Sequence, residues 1–128
     1  KESTTMSKSD LGDFLEISQD TMLTYAYQGS LHISNKAHLI IKETMQGEIF
    51  ATNQSYVEIR KTFKGKIYLD QKATVVLKCI TCYAHVHLEN ATLIIENSCL
   101  YGDIYYDKTS RIINHGKQIG KKISTEIA

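Results

Sequence analysis

Apolar and polar residues alternate along this chain in short runs, and the runs return with a fixed period. The period is marked by glycine or alanine at intervals of 18, 18, 19, 18 and 18 residues, at Gly29, Gly47, Gly65, Ala84, Gly102 and Gly120. The second and fourth residues after each marker are apolar, which is the period-two alternation of a strand with one buried face. These pairs are Leu31/Ile33, Ile49/Ala51, Ile67/Leu69, Val86/Leu88 and Ile104/Tyr106.

Each unit continues with a small residue and a second alternating pair. The small residues are Ala37, Ser55, Ala73, Ala91 and Ser110, and the second pairs are Leu39/Ile41, Val57/Ile59, Val75/Leu77, Leu93/Ile95 and Ile112/Asn114. A third apolar position, such as Met45 or Phe63, precedes the next marker. An earlier, less regular unit is predicted from Leu15/Ile17, a small Thr21 and the pair Leu23/Tyr25.

A unit with one-sided burial cannot close a core alone, but stacked units form columns of like side chains and parallel strand ladders. The pattern therefore predicts an all-β, single-domain parallel β-helix of about six rungs of ~18 residues. We expect glycine at a corner with positive φ and the small residue at a tight second corner. A β-sandwich is the alternative, but it does not explain a phase kept through five units.

The repeat also sets the predicted domain boundaries. We expect a flexible N-terminal tail over 1–12, the β-helix over 13–120, and a C-terminal tail or cap over 121–128. After Ile112 the inward columns become polar, at Asn114, Gln118, Lys122 and Ser124. This change predicts a last coil that is capped or irregular.

Composition adds few constraints on function. The 128 residues carry a formal net charge of +1, so the chain lacks the basic footprint of a nucleic-acid-binding protein. The three cysteines are an odd number and fit reduced thiols in a cytoplasmic protein better than a disulfide framework. Apolar runs of about four residues are far shorter than the ~20 residues that a membrane-spanning helix needs.

Two columns are predicted to face outward. The residue between the first pair gives His32, Phe50, Tyr68, His87 and Tyr105, and the residue between the second pair gives Ile40, Glu58, Val76, Ile94 and Ile113. Such columns stabilise neighbouring rungs by ~0.2–1 kcal/mol per pair. Contiguous exposed apolar columns are also a feature of binding surfaces, so the first column is a candidate lateral surface for a protein partner.

The stretch CITCYAHVH places Cys79, Cys82, His85 and His87 within nine residues, in a pattern that could suggest zinc. However, Cys82 falls in the inward column, so we expect it to point away from both histidines. The same cysteines lack the helix N-terminus that activates a redox pair. We therefore predict no metal site and no cofactor.

The sequence shows no catalytic motif, and its acidic residues are scattered over outward or loop positions. An acyltransferase of the left-handed β-helix class is the rival enzyme, because it also uses about 18 residues per coil. That class has a strict six-residue repeat, whereas the two alternating pairs here lie eight residues apart. We predict that the protein is not an enzyme.

Units such as GSLHISNKAHLIIKETMQG and GKIYLDQKATVVLKC resemble those of the bactofilins, small polymer-forming cytoskeletal proteins of bacteria, over Leu15 to Gly120. The resemblance implies a right-handed β-helix that assembles end to end into filaments without nucleotide or cofactor. It also implies recruitment of cell-wall or morphogenetic proteins. The location it implies is the cytoplasm, with peripheral association at the cytoplasmic face of the inner membrane.

The predicted contact between copies lies at the two ends of the rod, where a β-helix without caps leaves backbone groups unpaired. The candidate residues are Leu15, Ile17, Leu23 and Tyr25 at one end and Tyr106 and Ile112 at the other. Residues 1–28 have a net charge of −3 and residues 111–128 a net charge of +3, which favours head-to-tail stacking. The bactofilin resemblance instead implies filaments without polarity. We follow it here, because charges on tails are screened within ~10 Å.

Overall fold

The computed structural model describes residues 3–5 and 14–126, which contain fourteen β-strands and no helix. The strands are β1 (Ser3–Thr5), β2 (Phe14–Ile17), β3 (Asp20–Leu23), β4 (Tyr27–Ile33), β5 (His38–Ile41), β6 (Met45–Ala51), β7 (Tyr56–Ile59), β8 (Phe63–Asp70), β9 (Thr74–Lys78), β10 (Thr81–Glu89), β11 (Thr92–Tyr101), β12 (Ile104–Tyr106), β13 (Arg111–Ile119) and β14 (Lys122–Ser124).

Every described strand pairs in parallel with a strand one coil away along the chain. Even-numbered strands from β2 to β14 form one sheet face, here called the first side, and odd-numbered strands from β1 to β13 form the second side. A short third side is formed by the start of β4, β6, β8 and β10 and by the ends of β11 and β13. The chain is therefore a β-solenoid of about six turns with ~18-residue spacing, as the sequence predicts. The β-sandwich alternative is wrong, because its strands would pair antiparallel.

The core fills the space between the three sides with the columns that the periodicity predicts. The inward residues of a typical coil, Ile49, Val57, Ile59 and Phe63, are fully buried. Parallel pairing in register stacks each of them on its equivalents one coil away. The handedness implied by the bactofilin resemblance stays a prediction.

The marker glycines have positive φ, but they lie inside continuous strands rather than at corners between strands. Gly47 has φ 141° and sits within β6, where the inward positions Met45 and Ile49 are four residues apart instead of two. The strand therefore bends at the glycine, from the third side to the first. A Cβ at Gly47 would lie 1.9 Å from the carbonyl oxygen of Gly29, so a side chain has no room.

The small residues do occupy a tight corner, between the first and second sides. Ala37 and Ser55 are buried, and each follows two residues with positive φ, such as Asn35 and Lys36. The corner closes with a bond from the Ala37 N–H to the Ser34 carbonyl, 3.1 Å long. The left-handed pair was not predicted, because Lys rarely adopts that conformation outside such a turn.

The first coil is two residues shorter at this corner, and this corrects its predicted alignment. Thr21 pairs with Leu39 and Leu23 with Ile41, so Thr21 is an inward residue rather than the small corner residue. Tyr25 therefore falls beyond the second pair, at the turn after β3, where 38% of it is exposed.

The strands extend beyond the predicted domain limits at both ends. Strand β1, within the predicted 1–12 tail, pairs with β3, whereas residues 1–2 and 6–12 of that tail lie outside the described residues. At the other end β14 pairs with β12, so the solenoid continues to Ser124 rather than to residue 120. Of the predicted C-terminal tail or cap, residues 127–128 also lie outside the described residues.

Candidate interaction surfaces

The first outward column forms a continuous stack of rings along the first side, which we call the aromatic ladder. Its members are His32, Phe50, Tyr68, His87 and Tyr105. Successive ring centroids lie 4.6, 4.9, 4.7 and 4.5 Å apart along the rod. Parallel pairing sets this spacing, because neighbouring strands lie ~4.8 Å apart.

Stacking turns the ring faces toward one another and leaves the ring edges toward solvent. The ring planes of Phe50 and Tyr68 are almost parallel, with 6° between them, and those of His87 and Tyr105 differ by 10°. Ring pairs at such separations contribute ~0.5–1.5 kcal/mol beyond the area they bury. The ladder therefore stabilises the first side and also presents a row of ring edges to solvent.

The ladder gains one aromatic residue that the sequence pattern missed. The Phe14 ring lies 4.4 Å from the His32 ring, although Phe14 pairs in register with Ser30 and it is Glu16 that pairs with His32. An alignment of columns cannot detect a diagonal contact of this kind, because it compares only residues that pair in register. It leaves Phe14 52% exposed at the N-terminal end of the rod.

A groove of about 580 Å³ runs beside the ladder, and acidic side chains line it together with the rings. Its carboxylates belong to Glu16, Asp70 and Glu89, of which Asp70 and Glu89 are register neighbours on adjacent coils. Burial lowers the pKa of His87, and the nearby His85 and Lys66 lower it further. His87 is therefore uncharged at neutral pH, and the groove as a whole is acidic.

The second outward column is mostly aliphatic, but it contains a buried carboxylate. Glu58 faces outward as predicted, yet it is only 7% exposed because the neighbouring Tyr56 and Arg60 cover it. The Tyr56 hydroxyl donates a 2.9 Å hydrogen bond to it, and the Arg60 guanidinium forms a salt bridge with it. Burial alone would raise the pKa of Glu58, but the bonds from Arg60 and Tyr56 outweigh it and lower that pKa.

A second, shorter stack on the third side was also missed. The rings of Tyr83 and Tyr101 lie 5.3 Å apart, and the Lys64 ammonium sits 5.6 Å from the centre of the Tyr83 ring. The three residues immediately precede the markers Gly65, Ala84 and Gly102. That position was a detectable column in the sequence.

The two ends of the rod differ in how their candidate interface residues are placed. At the N-terminal end Ile17 and Leu23 are buried core residues and Leu15 is partly buried, which leaves Tyr25 as the exposed candidate. At the C-terminal end Tyr106 and Ile112 are partly buried against the core. Their role in joining copies stays a prediction.

The last coil has polar inward positions, as the sequence predicts. Asn114, Lys122 and Ser124 are exposed because no further described coil covers them. The Gln118 side chain donates a 2.9 Å hydrogen bond to the Gly102 carbonyl and so closes part of the coil. The apolar core effectively stops one coil earlier, at Leu100 and Ile104.

The cysteine and histidine cluster does not converge on one point. Cys82 is fully buried in the core, while His85 is exposed on the outer face and Cys79 is exposed at a corner. Burial raises the pKa of the Cys82 thiol to about 12. Across residues 3–5 and 14–126, no group of three or more His, Cys, Asp or Glu side chains could hold a metal ion.

No family model matches this chain, and no curated protein or solved structure matches it either. Within the part of the chain that the structure describes, there is no helix long and apolar enough to cross a membrane.

Proposed function

We propose that this protein is a rod-shaped scaffold that assembles end to end with further copies of itself, in the manner of the bactofilins it resembles. In this proposal the filaments form without nucleotide and recruit cell-shape or cell-wall proteins in a bacterial cytoplasm. The observation that supports it is the pair of open strand edges at each end of the solenoid. Each inner strand pairs with a strand of the coil before it and one of the coil after it. Among the described strands, β1 and β2 at the N-terminal end of the rod, and β13 and β14 at its C-terminal end, each pair along one edge only.

Unpaired edges of parallel strands are templates for a further strand, and a second copy offers strands of matching length and spacing. In a parallel strand the N–H and C=O of one residue point to the same side. The Arg111 N–H bonds to the Ala91 carbonyl of the preceding coil, and successive residues of a strand point to opposite edges. The backbone groups of Ile112 and Asn114 therefore point out of the C-terminal end of the rod, toward the place of a further coil. At the other end, Ser34 bonds to the Ile17 carbonyl, so the backbone of Glu16 faces away.

Negative-stain microscopy and sedimentation velocity of the full chain, over a range of salt concentrations, test this proposal. We expect rods several protomers long whose length grows with protein concentration. An Asn114→Pro variant removes an outward-facing N–H from an edge strand, which such edges tolerate, and should shorten the assemblies. Strictly monomeric wild-type protein under every condition would refute self-assembly.

A second candidate function, which the groove beside the ladder favours, is an adaptor that binds a protein partner along the first side. Phe50→Ser together with Tyr68→Ser removes two adjacent rings from that groove. Tyr83→Ser together with Tyr101→Ser removes a comparable stack from the third side and is the matched control. A partner first identified by cross-linking in cells should then lose affinity for the ladder variant alone, and equal affinity for both variants would rule out the ladder.

Peripheral association with the inner membrane belongs to the same proposal. Flotation with vesicles of anionic phospholipid measures it directly, with vesicles of zwitterionic lipid as the control. Filaments that remain at the bottom of the gradient with both lipids would rule out membrane association and leave scaffold assembly intact.

A further inference from the structure

We propose that copies stack head to tail, so that the last coil of one molecule contacts the first coil of the next and the assembly is polar. This inference rests on the proposed self-assembly and adds the orientation of its partners. It departs from the non-polar order that the bactofilin resemblance implies. The reason is the position of the charged residues at the two ends, which lie on the first and last coils and not only in tails.

The basic residues at the C-terminal end belong to the last coil itself. Strand β13 carries Arg111 and Lys117, and Lys121 directly precedes β14. These three side chains are exposed, and the only acidic residue in 111–126 is Glu126. The fourth basic residue, Lys122, occupies the inward column of Ile104 and takes no part in this pairing of charges. These charges are held on the last coil, where a second molecule would pair, so they can approach its charges more closely than the ~10 Å over which salt screens the charges of a tail.

The first coil has the opposite charge. Residues 14–27 include Glu16 and Asp20 and no Lys or Arg. Glu16 is exposed on the edge strand β2, and Asp20 accepts a 3.0 Å hydrogen bond from the His38 N–H. Two last coils facing each other would bring like charges together, whereas a last coil facing a first coil pairs basic with acidic residues.

The strand edges also match in this orientation. The N-terminal end presents β1 on the second side and β2 on the first, and the C-terminal end presents β13 and β14 on the same two sides. The column of the aromatic ladder begins at Glu16, which pairs with His32, and ends at Ile123, which pairs with Tyr105. If the next copy continues this column, its Glu16 lies beside Ile123. Lys121 then lies diagonally across from that carboxylate, about 7–8 Å away at the backbone and within reach of its side chain.

Two variants that each block one end distinguish the possible orders. Glu16→Pro blocks the first coil and Asn114→Pro blocks the last coil, because each removes an N–H that faces away from the rod. In head-to-tail order each variant alone is monomeric. An equimolar mixture then forms a dimer of twice the 14.5 kDa protomer mass, with one copy of each variant and no longer species.

The other orders give different results in the same sedimentation experiment. In non-polar order each variant alone dimerises through its free end, and mixing adds no new species, which would overturn this inference while leaving self-assembly intact. Wild-type protein that stays monomeric would overturn both proposals. Circular dichroism and thermal unfolding confirm that each variant is folded.

Charge-reversal variants provide a second test that does not depend on proline. Glu16→Lys and Lys121→Glu should each weaken assembly by about tenfold at low salt. A mixture of the two should recover assembly, because the altered residue of each variant then faces the altered, oppositely charged residue of the other. Raising the salt concentration from about 0.05 to 0.5 M should weaken wild-type assembly by a similar factor, because the Debye length falls below 5 Å. Assembly that is unchanged by either charge reversal would overturn the head-to-tail order.

Discussion

The sharpest test of the fold is Gly47→Ala. The added Cβ would lie 1.9 Å from the Gly29 carbonyl oxygen, whereas ordinary contacts begin at 3.4 Å, an overlap of about 1.5 Å. The obstacle is the backbone of the preceding coil, so no side-chain rotation relieves it. Gly47 also has φ 141°, a conformation that alanine rarely adopts.

The expected cost has two parts. Holding a residue other than glycine in such a region costs about 1–3 kcal/mol, and the backbone shift needed to make room costs about 1–3 kcal/mol more. A loss of about 2–6 kcal/mol is a large part of the ~5–15 kcal/mol that stabilises a typical domain. For a chain of this size, in which 1 kcal/mol shifts the melting temperature by about 3–5 °C, that temperature should fall by roughly 6–30 °C.

Guanidinium unfolding at fixed protein concentration, followed by far-ultraviolet circular dichroism, measures this cost. Ala84→Gly is the matched control, because Ala84 occupies the same column between Gly65 and Gly102. Its expected cost is about 1–2 kcal/mol, because backbone entropy contributes about 0.5–1 kcal/mol and Ala84 also loses a buried methyl group worth about 0.8 kcal/mol. A Gly47→Ala protein whose stability lies within 1 kcal/mol of wild type would refute the argument that stacked backbones exclude a side chain here.

Three further predictions concern individual side chains. A thiol reagent should label Cys79 in the native Cys99→Ser protein, while Cys82 should react only on unfolding, since it is fully buried; rapid labelling of both would contradict the inward placement. Because the pKa of Glu58 is lowered, its stabilisation is present above the unfolded value of about 4.3 and is lost as pH falls through the folded value. Acid titration of the unfolding free energy should therefore be shallower in Glu58→Gln than in wild type, and identical curves would exclude this role. Burial and the bond to Glu58 raise the pKa of Tyr56 to about 12, so its absorbance titration at alkaline pH should shift down in Glu58→Gln, and an unchanged titration would argue against the bond.

Most of the solenoid and its ladder could be predicted because the periodic signal is strong. Parallel pairing in register repeats the same environment at each coil, so Ile49, Ile67 and Val86 occupy equivalent core positions and carry similar side chains. The same argument correctly places Phe50 and Tyr68 in one outward column. The predicted alignment failed where a coil departs from the repeat, as at the shortened corner before Thr21.

Apart from the Tyr83 and Tyr101 stack, the features that were missed depend on contacts between columns or on local backbone conformation. Phe14 joins the ladder through a diagonal contact, and Glu58 is covered by its own neighbours Tyr56 and Arg60. An alignment of columns assigns each residue to one face, but it contains no information about side chains that lean along the strand. Exposure therefore could not be predicted from direction alone.

The sequence by itself determined the period, the inward and outward columns and the positive φ of the glycines. These follow from alternation and from the space that stacked backbones leave, both of which are local and repeated. Only the tertiary structure decided that residues 121–124 continue the last coil rather than form a tail, that Thr21 is an inward residue, and that basic side chains lie on the last coil. These properties depend on which strand lies last in the stack. The repeat describes a coil that has a neighbour on both sides, so it does not specify the environment of a coil that has only one.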